Sequence, residues 1–311
     1  MRVHQGIENY DHKEQSSILT IGTFDGVHIG HQKIIKRLNE IKIDRNEKSM
    51  ILTFFPHPRM VLDHRNDIKM LTTMEEKIQL LERFGLNELI IEPFTLEFSR
   101  LSAFEFVRNI LVNQLLLKKL VIGYDHHFGK NREGNFEQLV EYGELYDFNV
   151  EKISAQEIEK VSVSSTKIRK AIEHGDMETA NAYLGYSYLL TGEIIEGMGI
   201  GRKINFPTVN LDIKEDYKLI PKKGVYVVKA HFKDRTNYGI MNIGFRPTVG
   251  GKGQTIEIHL FDFHGNLYGK KIQVEVLKRL RDEQKFASVD ELANQISKDE
   301  KAAREWLMNL K

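Results

Sequence analysis

Near Leu189 the hydrophobic pattern of the chain changes period, and that change limits what it can fold into. Before it, short apolar runs alternate with helical repeats. Met50 to Phe55 reads as a buried strand stopped by Pro56 and Pro58, Met74, Ile78 and Leu81 mark a helix, and 88–92 and 120–123 are further strands. Ser102 and Glu105 have the spacing of a capping box ahead of Phe106, Val107, Ile110 and Leu111. Repeated βα units demand a parallel sheet with right-handed crossovers, and they put ligands at the carboxyl ends of the strands. After the change, strand-like runs succeed one another at 189–195, 225–232, 238–243, 255–261 and 272–277, as in an antiparallel barrel or sandwich. In the fourth run Ile256, Ile258 and Leu260 share one face while Glu257 and His259 share the other. The stretch from Val289 to Leu310 is helical, with Leu292, Ile296, Trp306 and Leu310 as its expected buried positions. A chain of 311 residues has room for two domains at ~150 residues each, with the boundary expected near Tyr183–Ser187.

The strand-to-helix turn Gly22-Thr-Phe-Asp-Gly-Val-His-Ile-Gly-His-Gln32 carries the densest chemistry. Ile18, Leu19 and Ile21 lead into it, and Ile34, Ile35, Leu38 and Ile41 continue at helical spacing. Backbone N–H groups and a helix N-terminus then face whatever anion sits at the turn. His28 and His31 stand three apart around Gly30, so both imidazoles reach one point. A glycine-rich turn alone is common in any α/β protein; two histidines directly after Phe24-Asp25-Gly26 at a strand end are far rarer. Later, Ser164-Ser-Thr-Lys-Ile-Arg169 sets hydroxyls at a helix start with Lys167 and Arg169 on the same turn. In isolation it reads as a plain capped helix; in series with the histidine turn it reads as a second phosphate-holding element.

Composition closes several routes. The absence of cysteine removes disulfides, thiolate metal sites and cysteine nucleophiles. Lys and Arg total 45 against 44 Asp and Glu, so the chain lacks the basic excess of a protein that lives on nucleic-acid backbone. No apolar stretch approaches the ~20 residues of a membrane span, and the segment from Met1 to Gln15 has no signal-peptide core. A cytoplasmic protein without a nucleic-acid or membrane partner is expected.

A strand ending in His-x-Gly-His resembles the class I nucleotidyltransferase signature. The ordered set of the Gly22–Gln32 turn, Phe55-Pro-His-Pro58, Gly123-Tyr-Asp-His-His-Phe-Gly129 and Ser164–Arg169 is similar to the adenylyltransferase half of prokaryotic bifunctional riboflavin kinase/FAD synthetases, across nearly all of 15–183. That resemblance implies a Rossmann-like parallel-sheet domain over 1–184 that binds ATP. It implies that His28 and His31 hold the phosphates in the transition state, with Gly22, Phe24, Asp25 and Gly30 lining the turn. Ser164, Ser165, Thr166 and Arg169 grip the phosphates from the other side, and Asp125 and Phe128 border the flavin. His57 between its two prolines is as suited to shaping its loop as to touching ligand, and His126 and His127 lack a third spaced metal ligand.

The second half is informative at Gly197-Met-Gly-Ile-Gly-Arg-Lys-Ile-Asn-Phe-Pro-Thr-Val-Asn210. Gly197, Gly199 and Gly201 let backbone approach a ligand closely, and Arg202 and Lys203 bring charge for phosphates. Thr208 and Asn210 are two apart, so an extended backbone puts both neutral oxygens on one face, a donor set that suits Mg²⁺ shared with a nucleotide. A flexible hairpin loop entering an edge strand is the plainer alternative. The stretch resembles the glycine-rich loop and Pro-Thr-x-Asn motif of riboflavin kinases, and Asn242-Ile-Gly-Phe-Arg-Pro-Thr248, Glu257 and Leu267-Tyr-Gly269 continue the match in order. It implies a six-stranded antiparallel β-barrel with a terminal helix over 185–311. A hydroxyl acceptor must lose a proton, and Glu257 matches the family's catalytic glutamate. Arg281 matches a family pattern near the flavin and reads equally as a surface arginine. Ile204-Asn205, Val209 and Tyr186-Ser187 depart from the family pattern without removing a proposed catalytic group.

Together these readings give an enzyme that phosphorylates riboflavin to FMN with ATP and Mg²⁺ and then adenylylates FMN to FAD, with flavins as substrate and product. A nucleotidyltransferase with another acceptor and a flavin-binding regulator with an RNA-facing barrel are the competing readings. The absence of a Lys-Met-Ser-Lys-Ser-like loop stands against an aminoacyl-tRNA synthetase.

Overall fold

The computed structural model describes residues 1–10, 17–42, 47–62, 68–123, 127–153, 163–197, 201, 206–233, 235–248 and 251–310. Two compact units are found: 1–70 with 74–164, and 71–73 with 165–311.

The first unit is a six-stranded parallel sheet in the order β1-β4-β3-β2-β5-β6, formed by β1 (Arg2–Gln5), β2 (Ser17–Ile21), β3 (Lys48–Phe55), β4 (Glu88–Pro93), β5 (Leu117–Ile122) and β6 (Asn149–Lys152). Strands of such a sheet are covered on both faces, which explains why all five residues of β2 are buried. One face stacks Leu19, Met50, Leu52, Ile90, Leu120 and Ile122 against Phe106, Val107 and Leu111 of the segment that the Ser102–Glu105 capping box opens. Helix α1 (Ile29–Glu40) buries Ile34, Ile35 and Leu38 against β2 and β3, and α2 (Met74–Arg83) buries Leu80 and Leu81. Leu120→Ala, at a position with no exposed surface in the middle of this core, is expected to cost about 2–5 kcal/mol in a urea unfolding measurement.

The strand order reverses between β2 and β5, because β3 and β4 lie to one side of β2 and β5 and β6 to the other. Ligands of open α/β sheets bind outside the carboxyl ends at such a switch point. The chain leaves those ends at Gly22, which opens the Gly22–Gln32 turn, and at Gly123.

The second unit is a closed antiparallel barrel in the order β10-β11-β8-β7-β12-β9, from β7 (Tyr188–Ile195), β8 (Val209–Asp212), β9 (Gly224–Phe232), β10 (Arg235–Thr248), β11 (Gly251–Leu260) and β12 (Lys271–Arg281). Tyr226, Met241, Ile243 and Ile258 fill its interior with almost no exposed surface. Helices α3 (Phe136–Tyr146) of the first unit and α4 (Ser165–His174), α5 (Met177–Leu184) and α6 (Val289–Met308) of the second complete the elements needed below. Helix α6 lies on the outer face of the barrel, where Ala303, Ile296, Trp306 and Leu307 pack on Val225, Val227 and Ile240. Leu310 departs from its expected burial: the helix ends at Met308 and Leu310 is 54% exposed.

Candidate functional site

At the end of β2 the turn is built under strain. Phe24 and Val27, both non-glycine residues, have φ of 47° and 34°, and Gly26 between them has φ of 79°. Burial of Phe24 and Val27 holds them there. The turn is also tied from outside: Gln32 Nε2 donates to the Val27 carbonyl at 2.8 Å, and Lys77 Nζ and Thr53 Oγ1 donate to the Thr23 carbonyl at 2.8 Å and 3.2 Å. Gly22 closes against the Phe24 ring, where a Cβ would sit 3.1 Å from it.

His28 is the N-cap of α1, and its Nδ1 accepts from the His31 backbone N–H at 3.4 Å. An accepting Nδ1 leaves the proton on Nε2, which makes that nitrogen a donor. The His28 and His31 rings stack with centroids 3.7 Å apart and planes 16° apart, and Phe24 supports the His31 ring at 4.7 Å. His31 Nδ1 is buried with no hydrogen-bond partner among the described residues. Burial, then the charges of His28 and Lys77, hold the His31 imidazole well below its ordinary value of 6.5, so it is neutral at pH 7. Asp25 is buried beside Lys77, whose ammonium its own burial pulls down to about 8 while Asp25 opposes the fall. The result is a helix N-terminus with two stacked imidazoles at the sheet's switch point, His31 neutral among them, an arrangement able to donate to an anion.

The remaining residues expected in this unit are less gathered. Phe128 packs into the core against Phe106 with 7% of its surface exposed, so its ring belongs to the wall of the unit. Asp125 and His126 lie outside the described residues. His57 Nδ1 accepts from the Arg59 N–H at 3.2 Å, which shapes its own loop. Ser164, Ser165, Thr166 and Arg169 open α4, with Ser164 and Thr166 exposed; the division between the two units falls at Ser164–Ser165.

In the barrel, strand pairing places Asn210, Glu257, Asn242, Val225 and Arg281 in one row across β8, β11, β10, β9 and β12. Directly opposed residues share a face, and Val225 identifies it as the outer face under α6. A cavity of about 220 Å³ lies there, bounded by Glu257, Asn242, Thr208, Arg281 and Phe286 with Leu292 and Ile296 from α6. Arg281 is fastened across the gap: its Nε and Nη2 donate to Asp299 at 2.7–3.1 Å, and Gln295 donates to the same carboxylate at 2.9 Å.

Thr208 leads into β8 and Asn210 lies on it, and both side chains meet the glycine-rich segment. A Cβ at Gly197 would collide with the Asn210 amide, and one at Gly201 would collide with the Phe206 carbonyl and press on Thr208 Oγ1. Only glycine permits that approach. The donors are uncharged oxygens, which fit a hard divalent cation that keeps waters and phosphate oxygens as its other ligands. Gly199, Arg202 and Lys203 lie outside the described residues. Among the described residues no three His, Asp or Glu side chains gather as a metal cage.

Three residues of these sites are given no site role by the sequence. Lys77 comes from 54 residues away to reach Thr23. His259 lines the barrel cavity, donates from Nδ1 to the Pro207 carbonyl at 2.9 Å and faces Glu300 of α6 at 3.7 Å. Asp299 is buried under Arg281. The Glu257/His259 face of the strand was the available signal for His259; nothing in sequence spacing marks Lys77 or Asp299.

Comparison with known proteins agrees with both halves. The FAD synthetase family model matches 10–167 and the riboflavin kinase model matches 184–307. A bifunctional riboflavin kinase/FMN adenylyltransferase of Buchnera aphidicola subsp. Schizaphis graminum is 38% identical, with 96% of each chain covered. One from Listeria monocytogenes is 37% identical over 99% of this chain and 98% of its own. A crystal structure described as that of a macrolide-efflux protein from Streptococcus pneumoniae has a TM-score of 0.88 and 29% identity, covering 98% of this chain and 100% of its own. Among the described residues, no helix is long and apolar enough to cross a membrane.

Proposed function

The chain belongs to the family of bifunctional riboflavin kinase/FMN adenylyltransferases, and from that premise we propose which of its residues carry each reaction. The two activities are phosphorylation of riboflavin to FMN by ATP and adenylylation of FMN to FAD with release of pyrophosphate. We assign the adenylylation to 1–184 and the phosphorylation to 185–311.

In adenylylation the FMN phosphate is already an anionic nucleophile, and charge gathers on the α-phosphoryl oxygens as it attacks ATP. His28 and His31, stacked at the N-terminus of α1, donate N–H groups to that charge. The hydroxyls of Ser164, Ser165 and Thr166 and the guanidinium of Arg169 take the rest of the triphosphate. Gly22, Phe24, Asp25 and Gly30 give the turn its shape, and Asp125 borders the flavin. The stacked histidine pair at the switch point is the observation that carries this half.

In phosphorylation the riboflavin 5′-hydroxyl loses a proton to Glu257, the carboxylate between Asn210 and Asn242 in the outer row. The isoalloxazine enters the cavity between barrel and α6, where Arg281, held by Asp299, forms a wall beside Phe286. Thr208 and Asn210 would hold Mg²⁺, which when bound neutralises charge on the ATP phosphates. Gly197, Gly199, Gly201, Arg202 and Lys203 bring backbone and cationic groups to the same phosphates. Use of ATP by both reactions and the cysteine-free composition support a cytoplasmic setting.

Incubation of the full chain with riboflavin, ATP and Mg²⁺, followed by flavin separation, is expected to give FMN first and FAD after it. Chelation of Mg²⁺ with EDTA is expected to stop FMN formation. Failure to phosphorylate riboflavin while ATP–pyrophosphate exchange persists would remove the kinase assignment.

A further inference from the structure

Lys77 is buried next to the histidine pair yet takes no part in the steps above. It stands in the first turn of α2 with 2% of its surface exposed. Its Nζ and Thr53 Oγ1 converge on one oxygen, the Thr23 carbonyl, at 2.8 Å and 3.2 Å. That carbonyl comes immediately before Phe24–Val27, four residues of which three have positive φ, so it is the point where the strained turn is fastened to the sheet and to α2. The groups facing the ammonium are Asp25 from the turn and His31 from α1.

A buried ammonium with one carbonyl acceptor among the described residues is a poor structural choice, because desolvation is costly and an apolar side chain of equal length avoids it. Its place beside the groups that would meet ATP suggests a different reason for it. We propose that Lys77 is a positioning residue for adenylyl transfer, its ammonium anchored on the Thr23 carbonyl and opposed by Asp25 so that the Phe24–Val27 turn presents the stacked His28 and His31 rings in reactive register. This rests on the assignment of adenylylation to the histidine pair.

The sign of its pH dependence is fixed. Burial lowers Lys77 from 10.5 to about 8, so the folded protein carries the ammonium below that pH and loses it above. As the charge goes, its attraction to Asp25 goes too, and the turn loosens. The same lowering means that folding is opposed by the buried charge at neutral pH, where both folded and unfolded chains hold the proton. Removing the ammonium therefore relieves a cost to the fold while removing a function.

The test is steady-state FAD formation from FMN, ATP and Mg²⁺ by the full chain from about pH 6 to about pH 9.5, for wild type, Lys77→Met, Lys77→Arg and His31→Ala. Lys77→Met is expected to lose about 10- to 100-fold in kcat with KM for ATP changed by less than about threefold, since misplacement of reacting groups acts on the rate. Its thermal midpoint is expected to hold or rise. Wild type should lose rate above about pH 8, Lys77→Met should show no such limb, and Lys77→Arg should keep its rate there. A wild-type kcat in Lys77→Met, or an unchanged alkaline limb in it, overturns the proposal. If Lys77→Met does not fold, a flat wild-type profile through pH 8 overturns it by itself. His31→Ala separates the two levels. Full FAD formation by His31→Ala removes the underlying assignment, whereas an inactive His31→Ala beside a fully active Lys77→Met removes the Lys77 role alone.

Discussion

His31→Ala is expected to convert riboflavin to FMN at the wild-type rate and to form FAD about 10²- to 10³-fold more slowly. The size follows from what the ring does where it sits. Its Nδ1 is buried and unpartnered among the described residues, it stacks on His28 at 3.7 Å, and Phe24 props it from the other side at 4.7 Å. A donor held this firmly needs little reorganisation as charge builds on a phosphoryl oxygen, and one such donor is worth two to three powers of ten in rate. His31→Gln, which keeps an N–H group near the same place, is expected to recover part of the loss. Timed separation of FMN and FAD reads both reactions from one incubation. Equal loss of both steps would show a collapsed protein, and no loss of FAD would show that the phosphates are held elsewhere.

Glu257→Ala gives the complementary result. Riboflavin phosphorylation is expected to fall by about 10²- to 10⁴-fold, the range for removal of a positioned general base, while supplied FMN is still adenylylated. Glu257 lies between Asn210 and Asn242 on the neighbouring strands, so it sits at the centre of a polar row under α6. Ile256 and Ile258 on either side are buried in the barrel, which fixes the strand and leaves the carboxylate no other direction. Glu257→Gln should fail in the same way, because the amide fills the space and accepts no proton. If Glu257→Ala loses FAD formation from FMN instead, the division of one reaction per domain is wrong.

The sequence discloses local features and hides distant ones. The Gly22–Gln32 turn is legible because strand, glycines and histidines are contiguous, and the Ser102–Glu105 box is found as its spacing requires. The strands of the barrel are legible wherever apolar residues alternate. Two elements escape: β1 and β6 are four residues each and neither has a fully buried residue. Side chains that act across the fold escape entirely. Lys77 is one of many lysines until Thr23 is seen above it, and Asp299 is one of many helix acids until Arg281 is seen against it. Phe128 shows the converse, since an aromatic in a chemically suggestive loop is a core residue.

The outer row that carries Glu257 draws one residue from each of five strands, the first at Asn210 and the last at Arg281. No hairpin or pair of strands holds more than two of the five. Riboflavin phosphorylation is therefore a report on the assembly of these five strands: a barrel that lacks any one of them has no complete row. A stopped-flow refolding trace that follows FMN production should lag the formation of β-structure and rise with the docking of α6.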